Sequence, residues 1–223
     1  MTAEPTVFAV DPDGQVCYSI RRLAAMMNLP CETYNSGTQF LDCYDRSRAG
    51  CLVLEVKIPD IAGLEMQKRL ASEEPSPPVI FLTGHASVSI AVRAMRAGAV
   101  HFFEKPLRED ELWDAIREAM ELDQQRRCAW AQQQELQRRL AQLTPKELRV
   151  LELIAEGKTK RSIAKEMDVG IRTTEIYKAR MMKKLGLTFP DQLVHFAIVA
   201  KNGHGWCVPA AAGRCATDHS LER

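Results

Sequence analysis

Five side chains that could do chemistry together stand at one kind of place in this sequence, the end of a short apolar run. Asp11 and Asp13 follow Thr6–Val10, and Glu55 closes Cys51–Glu55. Thr83 follows Val79–Leu82, and Lys105, with Pro106 behind it, follows Val100–Phe103. Carboxylates, a hydroxyl and an amine gathered at one point can hold a divalent cation, position a phosphoryl group or neutralise one another as an ion cluster. A second set is basic and interleaved with small and polar residues. It comprises Lys160, Arg161, Arg172, Thr173, Glu175, Ile176, Lys178, Ala179, Arg180, Lys183 and Lys184. Cations at helical spacing suit a polyanion, although such a run also serves as a plain solvated face.

The elements that must position the first set are read from hydrophobic periodicity. Thr6–Val10, Cys31–Tyr34, Cys51–Glu55, Val79–Leu82 and Val100–Phe103 are short β-prone runs, each followed by a helical pattern. Five β-then-α units predict an α/β fold with a doubly wound, five-stranded parallel sheet. Strands that are continuously apolar rather than alternating fit a sheet covered on both faces. In such a sheet the carboxyl ends of the strands share one crevice, so the five residues are expected to meet there.

Residues 122–143 change character, with no Gly or Pro and many Gln, Arg, Ala and Leu. Propensity makes them a helix. Leu122, Ala129, Leu136 and Leu143 fall seven apart, but of the intervening Arg126, Gln133 and Leu140 only the last is apolar, so a solvated linker helix, open to being continuous with the helix before it, is read rather than a stable coiled coil, with a dimer seam as the alternative. Thr144, Pro145 and Glu147 form a capping-box start, and Gly157 ends that helix. A short helix over Thr159–Met167, a turn at Asp168–Ile171, a longer helix over Arg172–Leu185 and a fourth over Asp191–Ala200 complete an all-α helix-turn-helix unit. The predicted boundaries are 1–121, 122–143 and 144–203, with 204–223 as an unstructured tail.

Charge divides in the same way. The whole chain of 223 residues has net charge +1, but residues 1–121 carry 12 basic and 18 acidic side chains, while residues 144–203 carry 12 and 7. Polyanion binding therefore belongs to the back half. Seven scattered cysteines without a CxxC read as reduced thiols. His204, Cys207, Cys215 and His219 are types that bind zinc, but the plainer reading is a tail that happens to contain them. No apolar run approaches the roughly 20 residues needed to cross a bilayer, and no signal peptide is evident, so a soluble, cytoplasmic protein is expected.

FAVDPD, CLVLEVKIPDIAGLE, VIFLTGHAS and AVRAMRAGAVHFFEKP give residues 6–121 a resemblance to the receiver domain of response regulators. LTPKELRVLELIAEGKTKRSIAKEMDVGIRTTEIYKARMMKKLGL resembles the LuxR-type helix-turn-helix, and the whole chain resembles the FixJ-type branch. The resemblance implies an aspartate phosphoacceptor at the third strand end and an acidic pair holding Mg²⁺. It further implies a hydroxyl and a lysine contacting the phosphoryl group, with Thr83 and Phe102 as switch residues. It also implies Glu175, Ile176 and Ala179 pointing into the DNA groove.

Two positions depart from that pattern. Glu55 occupies the phosphoacceptor position, and Pro12 occupies the second place of the acidic pair, with Asp13 shifted one residue onward. A glutamate carboxylate stands about one C–C bond (~1.5 Å) further out, and misplacement by ~1 Å can cost ~10²-fold in rate. Mg²⁺ demands near-ideal octahedral oxygen geometry, so Asp11, Asp13, Glu55 and the Lys57 carbonyl make a poor site; weak or absent Mg²⁺ binding is expected there, and no other cofactor. Two readings of Glu55 stand side by side. Paired with Lys105 and bonded to Thr83 it would resemble the phosphorylated state, at charge −1 against roughly −2; alternatively it is a structural ion pair in a degenerate receiver.

The leading function is a sequence-specific, non-enzymatic transcription regulator that binds double-stranded DNA as a homodimer. A sensor kinase and RNA polymerase are the further partners implied by the resemblance. A dimer surface is expected over 88–97, 100–103 and 109–120, with Arg93, Arg96, Glu111 and Trp113. The competing readings are an interaction adaptor with a vestigial DNA domain, an ordinary phosphorylatable regulator, and a phosphohydrolase using Asp11, Asp13, Glu55 and Lys105.

Overall fold

Residues 4–106 and 108–202 are described by a computed structural model, in which the chain divides into two units at Trp130/Ala131. The tail residues His204, Cys207, Cys215 and His219 lie outside the described residues.

The first unit is a parallel sheet ordered β2-β1-β3-β4-β5. Its strands are β1 (Thr6–Val10), β2 (Cys31–Tyr34), β3 (Gly50–Leu54), β4 (Val79–Thr83) and β5 (His101–Glu104). Between them run α1 (Gly14–Met26), α2 (Gly37–Cys43), α3 (Gly63–Ala71) and α4 (Val88–Arg96), and α5 (Glu109–Leu140) follows β5. All residues of β1, β3 and β4 are buried because helices cover both faces. Phe8, Val10, Leu52, Leu54 and Phe81 pack on one face with Phe40, Met66, Leu70 and Ala94. Val7, Ala9, Cys51, Val53, Ile80 and Leu82 pack on the other with Ile20, Leu23, Leu112 and Ile116. The strict alternation of these partners is the period-2 geometry of a strand.

Two glycines are sterically required. A Cβ at Gly63 would lie 2.3 Å from the Glu55 carbonyl oxygen, where α3 starts against the backbone leaving β3. Gly50 opens β3 at φ +150°, and a Cβ there would lie 1.9 Å from the Thr6 carbonyl oxygen.

Residues 122–140 are the outgoing half of one helix, and most of residues 122–143 are exposed or half-buried, with Asp123, Leu136 and Leu143 buried. α5 runs unbroken to Leu140, and Asp123 and Leu136 on it are only 2% and 3% exposed. Asp123 can be buried because Arg127, one turn on, neutralises it; Leu136 and Leu143 enter the core of the second unit.

The second unit adds α6 (Pro145–Ala155), α7 (Lys160–Glu166), α8 (Ile171–Leu185) and α9 (Pro190–Asn202). Thr144 and Glu147 form the capping box at the start of α6. Gly186, left-handed at φ 66°, stops α8. Val150, Leu153, Ile163, Met181, Leu185, Leu193 and Phe196 make one core.

Candidate functional sites

At the carboxyl ends of β1, β3, β4 and β5 lies a buried charge cluster. Asp11 and Glu55 are 3% and 5% exposed, and Thr83 is fully buried. Glu55 lies one residue beyond β3. Its Oε1 accepts from the backbone N–H groups of Val56 (2.7 Å) and Lys57 (3.2 Å) and from the Thr83 hydroxyl. Its Oε2 accepts from Lys105 Nζ at 2.8 Å and from the Gly84 N–H at 3.3 Å. Lys105 Nζ also donates to Asp11 Oδ2 at 2.5 Å, so one ammonium bridges two carboxylates. The Lys105–Pro106 peptide is cis.

The surroundings set the charge states. Burial pushes the Glu55 carboxyl up, but donors from Lys105, Thr83 and the Lys57 amide outweigh it and hold its pKa below the ordinary value. For Asp11 burial wins, and the pKa is raised despite Lys105 and the Asp13 N–H. Burial lowers Lys105, but its bonds to Asp11 and Glu55 more than offset that and raise its pKa.

Asp13 is not part of this cluster's ion pairing. It caps α1, its Oδ1 accepting from the Gln15 N–H at 2.8 Å, as an aspartate beside a helix start readily does. Magnesium does not fit these residues. Asp11 Oδ2 and Glu55 Oε2 are both taken by a side-chain cation, Asp13 is turned to a helix end, and Pro12 offers no side-chain oxygen. Phe102 on β5 is half-buried, its ring centroid 5.9 Å from that of Phe81.

The basic set lies on α7 and α8. Lys160, Arg161, Arg172, Glu175, Ile176, Ala179, Arg180, Lys183 and Lys184 are exposed; Thr173 and Lys178 are half-buried. The apolar face opposite them buries Thr174, Met181 and Leu185. Ile171, at the first position of the helix, is 45% exposed. Two lysines are committed within the protein. Lys160 Nζ lies 3.0 Å from Glu175. Lys184 Nζ lies 2.6 Å from Glu147, whose side chain is 3% exposed. Burial raises Glu147, but Lys184 and Thr144 outweigh it and lower its pKa. Arg161, Arg172, Lys178, Arg180 and Lys183 form no ion pair with the described residues. Glu147 is a residue whose second role sequence reasoning missed. The capping-box pattern identified its bond to Thr144 but gave no sign of a lysine 37 residues away.

Residues 7–117 match the family model for the response regulator receiver domain, and residues 141–197 that for bacterial regulatory proteins of the luxR family. The response regulator protein TodT of Pseudomonas putida is 34% identical over 188 residues, spanning 84% of this chain and 83% of TodT. The transcriptional regulatory protein FixJ of Bradyrhizobium diazoefficiens is 32% identical over 200 residues, spanning 90% of this chain and 98% of FixJ. Among solved structures, the response regulator StyR superposes with a TM-score of 0.77 at 34% identity, over 88% of this chain and 99% of StyR. Full-length FixJ from B. japonicum gives 0.51 at 31% identity, over 91% and 99%.

Proposed function

The chain belongs to the response regulators that join a receiver domain to a LuxR-family DNA-binding domain, and from that premise we propose that its receiver controls transcription without an aspartyl phosphate. It is a LuxR-type transcription regulator; the proposal concerns how it is governed. The observation that carries it is one carboxylate doing several jobs. Glu55 reaches Thr83, Lys105 and the Gly84 amide at once, as an added anionic group at the strand end would. In-line transfer to Glu55 has no support from these residues, because the charge neutralisation it needs from a metal is replaced by an ammonium. A second reading has its own observation. Lys105 neutralises Asp11 and Glu55 together, which is what a purely structural ion cluster requires.

The partners follow. Double-stranded DNA is read by α8, with Arg180 and Lys178 closest in type to base or phosphate donors. A homodimer is proposed through α4, whose Val88, Val92 and Met95 are 82%, 43% and 47% exposed at i, i+4 and i+7, flanked by Arg93 and Arg96. Trp113, also expected on that surface, is half-buried and packed against the core that includes Ile20 and Leu23. The protein is read as non-enzymatic and cytoplasmic, with a sensor kinase and RNA polymerase as family-type partners; among the described residues no helix is long and apolar enough to cross a membrane.

The test is phosphorylation chemistry. The wild type is expected to bind DNA with no phosphodonor and to take no label from acetyl phosphate. Glu55→Asp alone is expected to remain unlabelled, because Pro12 still withholds a carboxylate, while Glu55→Asp with Pro12→Asp gains Mg²⁺ binding and some label. Glu55→Gln separates the two readings of Glu55: a shift in DNA affinity favours the phosphate-like role, and unchanged affinity favours the structural one. Acid-labile phosphate on the wild type with a matching rise in DNA affinity overturns the proposal.

A further inference from the structure

The strands' other end carries a second buried charge pair. Asp123 on α5 has its side chain 2% exposed, and Arg127, four residues on, 16%. The guanidinium is used as a fork. Nε donates to Asp123 Oδ2 at 2.7 Å, Nη1 to the Arg46 carbonyl at 2.7 Å and Nη2 to the Arg48 carbonyl. Asp123 Oδ2 also accepts from the N–H of Gly50, the first residue of β3, at 2.9 Å. Gly50 can present that N–H because it lacks a Cβ that would strike Thr6. Two residues of one helical turn thus grip three points of the segment entering β3. Both lie beyond residue 117, where the match to the receiver family ends.

The pair is a poor way to gain stability alone. Asp123 Oδ1 is buried with no partner among the described residues, a cost that an apolar pair of similar size would avoid. What the pair provides is specificity of placement, since three backbone groups 73 to 81 residues away must be in register for its bonds to form. β3 then runs from Gly50 through fully buried Cys51, Leu52, Val53 and Leu54 to Glu55 in the strand-end cluster. Past Arg127, α5 continues to Leu136, which is buried in the core of the DNA-binding unit.

We propose that Asp123 and Arg127 are a latch: positioning residues that fasten the outgoing half of α5 to the entry of β3, so that the state of the Glu55 cluster reaches the DNA-binding unit only while the latch is closed. The regulatory half of this rests on the proposed role of Glu55; the latch itself does not.

The experiment uses the full chain with Asp123→Asn, Arg127→Met and the charge-conserving Arg127→Lys. Hydrogen exchange is followed over residues 44–50, 120–130, β3, β4 and 144–202. Arg127→Met and Asp123→Asn are expected to speed exchange at 44–50 and 120–130 by about tenfold or more, the protection one or two lost buried bonds would remove. Residues 51–54 of β3, β4 and 144–202 are expected to keep their wild-type rates. Arg127→Lys, which keeps the charge and loses the fork, is expected to fall between. The second arm is a cycle on DNA affinity. Glu55→Gln is expected to shift affinity in the wild type and to shift it less than about twofold in Arg127→Met. Unchanged exchange at 44–50 and 120–130 overturns the latch, as does equal acceleration at 51–54 and in β4, which makes the pair a simple core prop. An undiminished Glu55→Gln effect in Arg127→Met overturns the coupling. If Glu55→Gln has no effect even in the wild type, the phosphate-like role of Glu55 fails and the regulatory half with it, while the exchange arm still decides the latch.

Discussion

Lysines at the receiver's strand ends and on the DNA-binding helices carry the same charge, yet their surroundings give them different work. Lys105 stands between two buried carboxylates and is 21% exposed on its side chain. Lys184 is 35% exposed and holds one buried carboxylate; Lys160 is 62% exposed and holds Glu175, itself half in water. Lys183 has no ion pair with the described residues. A cation can serve a ligand only to the extent that the protein has not already used it, and burial of its partner measures that use. The comparison separates a closed cluster, in which charges neutralise one another, from an open face that retains positive charge for a polyanion.

The largest test of that contrast is Lys105→Ala. It leaves Asp11 and Glu55 buried with no cation, and the receiver is expected to lose about 3–5 kcal/mol, read by urea unfolding of the full chain through a receiver-specific probe. A loss under about 1 kcal/mol would mean that water reaches the cluster and that the contrast with surface pairs is false. The pH dependence adds a sign. Glu55 has a lowered pKa in the folded state, so its share of stability is present above the ordinary carboxyl value and is lost as pH falls below it. Asp11 has a raised pKa, so folding takes up a proton there and acidification adds stability. Glu55→Gln is therefore expected to flatten the acid-side loss and Asp11→Asn to steepen it; the same change of slope in both would contradict the assignment.

Lys184→Ala comes next. Glu147 keeps its bonds to Thr144, so the expected loss is about 1–2 kcal/mol in the second unit. Lys183→Ala should leave stability alone and reduce the salt dependence of DNA binding by about one unit. Exchanged phenotypes, with Lys183 structural and Lys184 felt by DNA, would break the ranking. Arg180→Ala sharpens it from the DNA side, with an expected loss of about 1–3 kcal/mol for a specific site if the residue reads a base. A loss shared equally by random sequence would assign it to phosphate instead.

These contrasts follow the limits of what the sequence discloses. The sheet, its helices and the helix-turn-helix are legible because they rest on local patterns: apolar runs of four or five residues, the Thr144–Glu147 capping box and the stop at Gly186. The gathering of Asp11, Glu55, Thr83 and Lys105 can be read because strand ends of a parallel sheet share one crevice. What is not legible depends on partners distant in sequence. Composition made 122–143 a solvated helix, but nothing local reveals which of its residues are buried, that Asp123 will meet Gly50 or that Arg127 will meet Arg46 and Arg48. The one available sign was an Asp and an Arg four apart on a helix, a spacing that usually marks a surface pair. Asp13 shows the opposite case: its bond to the start of α1 is a local role, legible from an aspartate just before a helix, that attention to the strand-end crevice passed over.

The smallest expected effect lies on the open face itself. Lys160 begins α7 and Glu175 sits in the second turn of α8, with 62% and 53% of their side chains exposed. Screening and side-chain entropy limit such a pair to about 0.2–1 kcal/mol, so a double-mutant cycle of Lys160→Ala and Glu175→Ala on stability should return coupling in that range. On DNA the same two changes should act with opposite sign. Removing Lys160 takes away a phosphate cation, weakening all sequences alike and lowering the salt slope by about one unit. Removing Glu175 takes away an anion from a polyanion's binding surface. It should tighten nonspecific binding unless Glu175 accepts from a cytosine amino group, in which case specific binding alone weakens. Coupling on stability well above 1 kcal/mol would show that this pair is as locked as Lys105 with Glu55, and the division between a closed cluster and an open face would not hold.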